Sequence, residues 1–334
     1  METRRSQPAR IIDVARLAGV SAQTVSNVMN GRPGFTAATR DRVLAAVTEV
    51  GYSPNPAARH LRTQEARRIG FSMTSDNLDP RNPFALSFLS AVINTAADAQ
   101  RRVVVLMHEE HDGSFAADVS GRDVDGFVLV NSSPGDYRVG LLAQHGVPFA
   151  LMGRTRDDEP QPWVDIDNRA GIGHAVDHLV GRGITSFGYV GYDGPAYWDR
   201  ERLEGAHAGL ARHGLTLPDE HVLLGTLDRL DKPVRRLLRS PHRPQALITA
   251  SDSLGVLVVN AAHAESIRIP DQLAVTGFDG GPGSRIVFPH LTSVRVPIVK
   301  IAQMVTQRLL TEIEGRSDAP GQTVGTRIQQ GGTT

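Results

Sequence analysis

Residues 11–31, Ile11-Ile12-Asp13-Val14-Ala15-Arg16-Leu17-Ala18-Gly19-Val20-Ser21-Ala22-Gln23-Thr24-Val25-Ser26-Asn27-Val28-Met29-Asn30-Gly31, read as a helix, a tight turn and a second helix. Asp13, Val14, Ala15 and Ala18 fall at helical spacing. Gly19 can take the left-handed backbone conformation that ends a helix, and Ser21 is a good cap for the next one. On that second helix Val25, Val28 and Met29 share an inward face. Gln23, Ser26, Asn27 and Asn30 are left on the outside. A short helix presenting amides and hydroxyls, held on another helix by a glycine turn, has the geometry that enters a major groove.

Working outward, a third helix is expected over 37–50, capped by Thr36, with Val43, Leu44 and Val47 inward and Gly51 as its stop. Asn55 can cap a further short helix, with Pro56 at its first position and Ala57 to Leu61 making barely two turns. Such a helix is too short to hold alone in water and needs a partner. A linker is expected at about residues 63–67.

The 334 residues allow this small module plus about two further domains. The overall charge of zero hides a division. Residues 1–68 carry eleven arginines and no lysine against five acidic residues, a net +6 that leaves −6 on the remainder. A basic head on an acidic body suits phosphate contact by the head alone. The chain has no cysteine, which excludes disulfides, thiol catalysis and cysteine-ligated metals. No apolar run approaches the roughly 20 residues of a membrane span, and no apolar segment follows the N-terminal arginines. A cytoplasmic protein without membrane association is expected.

From residue 68 short apolar runs alternate with amphipathic helices. Strands are expected at Ile69–Met73, Val103–Met107, Phe127–Asn131, Phe149–Met152, Phe187–Val190, Ala246–Thr249 and Leu273–Thr276, with a last one at about Thr323–Gln329. Helices are expected near 84–100, 136–145, 169–181, 200–213, 230–239, 252–265 and 297–314. Repeated βαβ units imply parallel sheets with helices on both faces, and a division into two sheets near Val164–Asp167 fits the length.

Several patterns suggest chemistry and are better read otherwise. His108-Glu109-Glu110-His111-Asp112 lacks the spacing of a zinc helix and is expected to be a solvated loop. Gly171-Ile172-Gly173 has no strand–turn–helix context with a third glycine, so dinucleotide binding is not expected. Asn131-Ser132-Ser133 is a glycosylation sequon without meaning in the cytosol. No nucleophile, phosphate loop or acid–base pair stands out. No catalytic residue, metal or cofactor is therefore assigned.

The run Asp13-Val14-Ala15, Ala18-Gly19-Val20-Ser21, Thr24-Val25-Ser26 and Asn30-Gly31 continues with Thr39-Arg40, Gly51-Tyr52, Pro54-Asn55, Ala58-Arg59 and Leu61. Together these residues closely resemble the lactose/galactose repressor (LacI/GalR) family. The body adds Asn82-Pro83-Phe84, Val124-Asp125-Gly126, Asp167-Asn168, Ser251-Asp252 and Gly277-Phe278-Asp279. The resemblance covers essentially the whole chain. It implies an α/β fold: an N-terminal helix-turn-helix DNA-binding domain plus a two-lobed, periplasmic-binding-protein-like core of doubly wound parallel sheets. The expected boundaries are 1–54 for the head and 55–67 for hinge helix and linker. The core is 68–334, with a first lobe of about 68–165 plus 295–320 and a second of about 166–292 plus 321–334.

The resemblance also assigns roles. Ala22, Gln23 and Asn27 match base-reading positions; Gln and Asn can pair with adenine, and an alanine methyl can meet that of thymine. Many relatives carry arginine where this chain has Asn27. Ser21, Thr24, Ser26, Asn30, Tyr52 and Asn55 match positions that touch phosphates or set docking. Leu61 matches an apolar wedge of the minor groove, and Ala58 would face the partner's hinge helix. In the body Arg202 and Asp279 match effector-cleft positions, and Thr74, Phe84, Asn131 and Ser251 fall at or after strand ends that correspond to the cleft. Trp198 lies one helical turn before Arg202, where it can stack on a sugar ring or pack between lobes. Asp167-Asn168 reads equally as hinge geometry or ligand contact.

The implied function is a repressor of sugar-utilisation genes that binds double-stranded operator DNA and is released by a small-molecule effector of the sugar class. The alternatives are a co-repressor-dependent regulator responding to a non-sugar molecule, and a solute-binding protein, which would lack the DNA head. No leucine-heptad tail follows the last strand, so a homodimer rather than a tetramer is expected.

Overall fold

The computed structural model describes residues 9–29, 31–52, 65–73, 83–108, 113–316 and 321–334. The chain divides into two compact units, residues 1–66 and 67–334.

The first unit contains α1 (Ile11–Ala18), α2 (Ala22–Met29) and α3 (Ala37–Val50). The Asp13 carboxylate accepts the Arg10 amide at 3.0 Å, closing the start of α1. Gly19 ends α1 with φ 63°, and the Val20 amide reaches back to the Ala15 carbonyl. Ser21 Oγ accepts the Thr24 amide at 3.1 Å, as a capping serine should. The three helices bury Val14, Ala15, Ala18, Val25, Val28, Val43 and Ala46 against one another, with Tyr52 packed at the edge of that core. Leu44, expected inward, is exposed; Val43 and Ala46 hold the buried face of α3.

The second unit is built on two six-stranded sheets. The first joins β1 (Arg68–Met73), β2 (Arg102–Met107), β3 (Gly126–Val130), β4 (Phe149–Met152), β5 (Trp163–Ile166) and β11 (Gln322–Val324), in the order β11-β5-β4-β3-β1-β2. The second joins β6 (Phe187–Gly191), β7 (Val222–Leu224), β8 (Ala246–Thr249), β9 (Ala274–Asp279), β10 (Thr292–Arg295) and β12 (Arg327–Gln329), in the order β12-β10-β9-β8-β6-β7. All pairings are parallel except β10 with β12. Helices α4 (Phe84–Asp98), α5 (Ser114–Gly121), α6 (Tyr137–His145) and α11 (Ile298–Ile313) accompany the first sheet. Helices α7 (Asn168–Val180), α8 (Tyr197–Arg212), α9 (Leu227–Arg239) and α10 (Asp252–Ala264) accompany the second.

Alternation along the strands explains the double covering. In β1 Ile69, Phe71 and Met73 join one core cluster, while Phe127 and Leu129 of β3 point into another with Phe115, Leu142 and Trp163. Each sheet reverses its winding beside its first strand, between β1 and β3 and between β6 and β8. Ligands in such sheets bind outside the carboxyl ends of the strands at that reversal.

Two expectations are corrected. The run 323–329 is not one strand: Gly325-Thr326 interrupts it, so 322–324 edges the first sheet and 327–329 the second. Residues 322–324 therefore pair within the first lobe, not the second. His108 is not in a solvated loop; it is 2% exposed, within 3.1 Å of Ser114 Oγ and edge-on to Phe115 at 4.8 Å. Residues 109–112 lie outside the described residues.

Candidate functional site

On the first unit, Ser21, Ala22, Gln23, Thr24, Ser26 and Asn27 all lie on or at the start of α2. Val25 and Val28 pin the opposite face of that helix into the core. Gln23 is exposed, and its Nε2 donates to Asn27 Oδ1 at 3.1 Å, one turn on. The pair thus forms one continuous hydrogen-bonding edge along the outer face. Asn30, Asn55, Ala58, Leu61 and Thr74 lie outside the described residues.

In the second unit the centre is Arg202 on α8, only 5% exposed. Its Nε donates to Asn168 Oδ1 at 2.9 Å and its Nη1 to the Ala250 carbonyl at 2.6 Å, at the carboxyl end of β8. The guanidinium lies 3.8 Å from the Phe278 ring centre and 4.5 Å from that of Trp198. Aromatic faces on both sides favour a cation and leave only its edges for polar contact. Trp198 in turn donates from Nε1 to Asn131 Oδ1 at 3.2 Å, reaching from α8 to the end of β3 in the other sheet. Asn131 holds φ 55° there. Trp198 also meets Tyr192 edge-on at 5.8 Å, and the Tyr192 hydroxyl lies 2.8 Å from Ser251 Oγ. Ser251 caps α10 by accepting the Leu254 amide at 3.2 Å. Phe84, at the first position of α4, packs half-buried against the core.

Thus Asn131, Trp198, Arg202 and Ser251 gather at the two sheet reversals. Asp279 ends β9 beside them with φ 113°, a conformation side chains rarely adopt. Burial drives its carboxyl well above the ordinary range; Arg202 opposes this and Asp252 adds to it. Asp252 accepts the Gly281 amide at 3.0 Å and a hydroxyl hydrogen bond from Ser293. Burial still pushes Asp252 up to about 7.

Sequence reasoning singled out Asp167-Asn168 as hinge geometry or ligand contact but missed the residues around them. Asn168 is 1% exposed and its Nδ2 donates to the Ile166 carbonyl and Glu201 Oε2, both at 3.1 Å. Glu201 pairs with Arg154, whose Nε lies 3.5 Å from Asp165. Asp165 is raised to about 7, by burial first and then by Glu201. This buried network ties β5 to α8 where the chain passes between sheets. Asp167 itself caps α7 through the Ala170 amide. In the first sheet Arg138 grips Asp136 and donates to Ser72 Oγ at 3.2 Å and to the Val130 carbonyl at 3.0 Å, filling the β1–β3 reversal. The bonds of Asn168 to Glu201 and Arg202, and of Arg138 to Ser72, join residues more than thirty positions apart, which spacing in the sequence cannot reveal.

Residues 10–55 match the bacterial regulatory proteins of the lacI family, and residues 176–334 match the periplasmic binding protein-like domain. The chain belongs to the lacI family. It is a DNA-binding transcriptional repressor of that family. Among lacI relatives it is similar to the HTH-type transcriptional regulator CelR of Thermobifida fusca, 29% identical over 333 residues and 96% of both chains. Catabolite control protein A of Priestia megaterium is 28% identical over 90% of this chain and 91% of its own length. The ribose operon repressor of Escherichia coli is 27% identical over 91% and 93%. These relatives are transcriptional regulators, which are not enzymes. A CelR–cellobiose complex superposes with a TM-score of 0.73 at 25% identity, covering 98% of this chain and all of that one. The lac repressor dimer bound to operator and an anti-inducer has the same fold, with a TM-score of 0.87 at 23% identity over 98% of this chain and 99% of that one. No helix among the described residues is long and apolar enough to cross a membrane.

Proposed function

We propose that this chain is a homodimeric repressor of sugar-utilisation genes, released from a palindromic operator by a sugar bound between its two sheets. The observation that carries the reading is Arg202: a buried guanidinium at the sheet reversal, flanked by Phe278 and Trp198 and facing Asp279. A cation, carboxylates and an aromatic face converging on one crevice suit a polyhydroxylated ligand. The likeness to a CelR–cellobiose complex supports the same class.

Gln23 and Asn27 read base edges, while Ser21, Thr24, Ser26 and Tyr52 set the docking of the head. Two heads on one dimer meet two half-sites of a duplex of roughly 14 to 20 base pairs. Trp198 joins the lobes through Asn131, so a ligand that displaces or reinforces that contact changes how the lobes sit. The test is calorimetry of candidate sugars with and without operator. Coupling of about 1–3 kcal/mol, equal in both directions, is expected. A ligand that binds equally well with and without operator overturns the release mechanism.

A further inference from the structure

Asp199 is not explained by anything described so far. It stands in the first turn of α8, three residues before Arg202, and is 9% exposed. A buried carboxylate ordinarily collects hydrogen-bond donors. Asp199 Oδ1 has none among the described residues. Its other oxygen lies close to Gly194, in the loop that leaves the carboxyl end of β6. Nearby, the Tyr189 hydroxyl, on a residue 1% exposed, is also without a partner, and the Asp199 charge acts on it. Two unsatisfied polar groups therefore sit at the β6–β8 reversal beside the guanidinium. Arg202 is the cation that faces Asp199, Asp252 and Asp279 alike. Three carboxyl groups share that one guanidinium.

We infer that Asp199 is a specificity-determining residue of the effector cleft, making it a site for neutral or amino sugars and barring sugars that carry a carboxylate or phosphate. A sugar hydroxyl or ammonium donates to Asp199 Oδ1, and the Tyr189 hydroxyl donates to a ring or hydroxyl oxygen of the same ligand. Above about pH 7 an anionic group placed there meets the charged carboxylates of Asp199 and Asp252, with the Arg202 guanidinium already engaged by Asn168 and Ala250. The inference rests on the sugar-effector reading above.

The test uses the full chain and matched pairs of probes that differ in charge: cellobiose against cellobionic acid, galactose against galacturonic acid, and glucosamine against glucose 6-phosphate. Calorimetry at about pH 8, where the Asp199 carboxyl is charged, and at millimolar ligand is expected to show the neutral or cationic member binding at least about tenfold tighter in every pair that binds. Asp199→Asn, which keeps the shape and removes the charge, is expected to shrink that ratio severalfold. An acidic sugar that binds as tightly as its neutral partner overturns the inference, as does an unchanged ratio in Asp199→Asn, or no binding by any neutral or amino sugar. Arg202→Lys separates the two readings. If an acidic probe binds and Arg202→Lys weakens it, the cleft stands and the selectivity falls. If Arg202→Lys leaves every probe's binding unchanged, the cleft assignment itself falls. The wild-type comparison needs no variant, so misfolding of either variant leaves the inference open to refutation.

Discussion

Asp199→Asn should alter how stability depends on pH. Burial raises the Asp199 carboxyl from 3.8 to about 7, with Asp193 adding to the effect and Arg202 opposing it. The fold therefore holds a proton that the unfolded chain releases at lower pH. The stabilisation is complete below the unfolded value and is lost as pH rises through the folded one. Between about pH 5 and about pH 8 this carboxyl alone withdraws about 2–3 kcal/mol from the fold, at 1.36 kcal/mol for each unit of pKa difference. Asparagine carries no such proton. Asp165 and Asp252, raised to about 7 by the same cause, contribute equal slopes to both proteins and cancel. Thermal melts of wild type and Asp199→Asn at the two pH values give the difference of differences. The variant should gain on wild type as pH rises, whatever its stability at either pH alone. Parallel pH profiles would show that Asp199 is hydrated or paired, and the desolvation argument would fail.

Gln23→Ala should cost about 1–3 kcal/mol on a selected operator and little on random duplex, the usual worth of a bidentate base contact. Gel-shift titrations of both duplexes check this, and equal losses on the two would restrict Gln23 to backbone contact. Its bond to Asn27 is worth only about 0.2–0.5 kcal/mol on a helix surface, so the amide is free to turn to a base. Gly205→Ala should destabilise the second unit by about 1–3 kcal/mol. A methyl there would come within 2.7 Å of the Arg169 carbonyl oxygen, where α8 crosses the start of α7. An unchanged melting temperature would mean that the two helices separate without cost. Raising salt should weaken DNA binding steeply as arginine contacts release counterions from the phosphates, and a flat dependence by the same gel shift would exclude phosphate neutralisation.

The head was legible because its signals are local. Gly19, Ser21, Val25 and Val28 lie within ten residues of one another, and helical periodicity alone sorts inward from outward. Most strands of the second unit were legible for a similar reason: Ile69–Met73, Phe149–Met152 and Ala246–Thr249 are short apolar runs bounded by polar turns. β5, β7, β10 and the split of 323–329 were not. Strands of three or four residues leave too little pattern, and only pairing with a distant neighbour assigns Val324 to one sheet and Ile328 to the other. The cleft was half legible. Arg202, Asp279, Asn131 and Ser251 came from resemblance to the family, and the structure brings them to the sheet reversals. Trp198 was read from helical spacing; it lies against Arg202 and bonds to Asn131, a contact across 67 residues that spacing cannot reveal. Asp199 and Arg138 escaped because an ordinary polar residue becomes unusual only once burial is known; Asn168 was singled out beside Asp167, but its bonds to Arg202 and Glu201 were not.

The central claim is that α2 reads a specific symmetric operator and that the cleft controls its occupancy. In vitro selection from a random duplex pool, repeated with Gln23→Ala and then with the tightest-binding sugar added, tests it most directly. The account predicts enrichment of a palindrome by the wild type, loss of that enrichment in Gln23→Ala, and release of the selected duplex by the sugar. Enrichment of no symmetric motif, or the same motif selected equally well by Gln23→Ala, would contradict it.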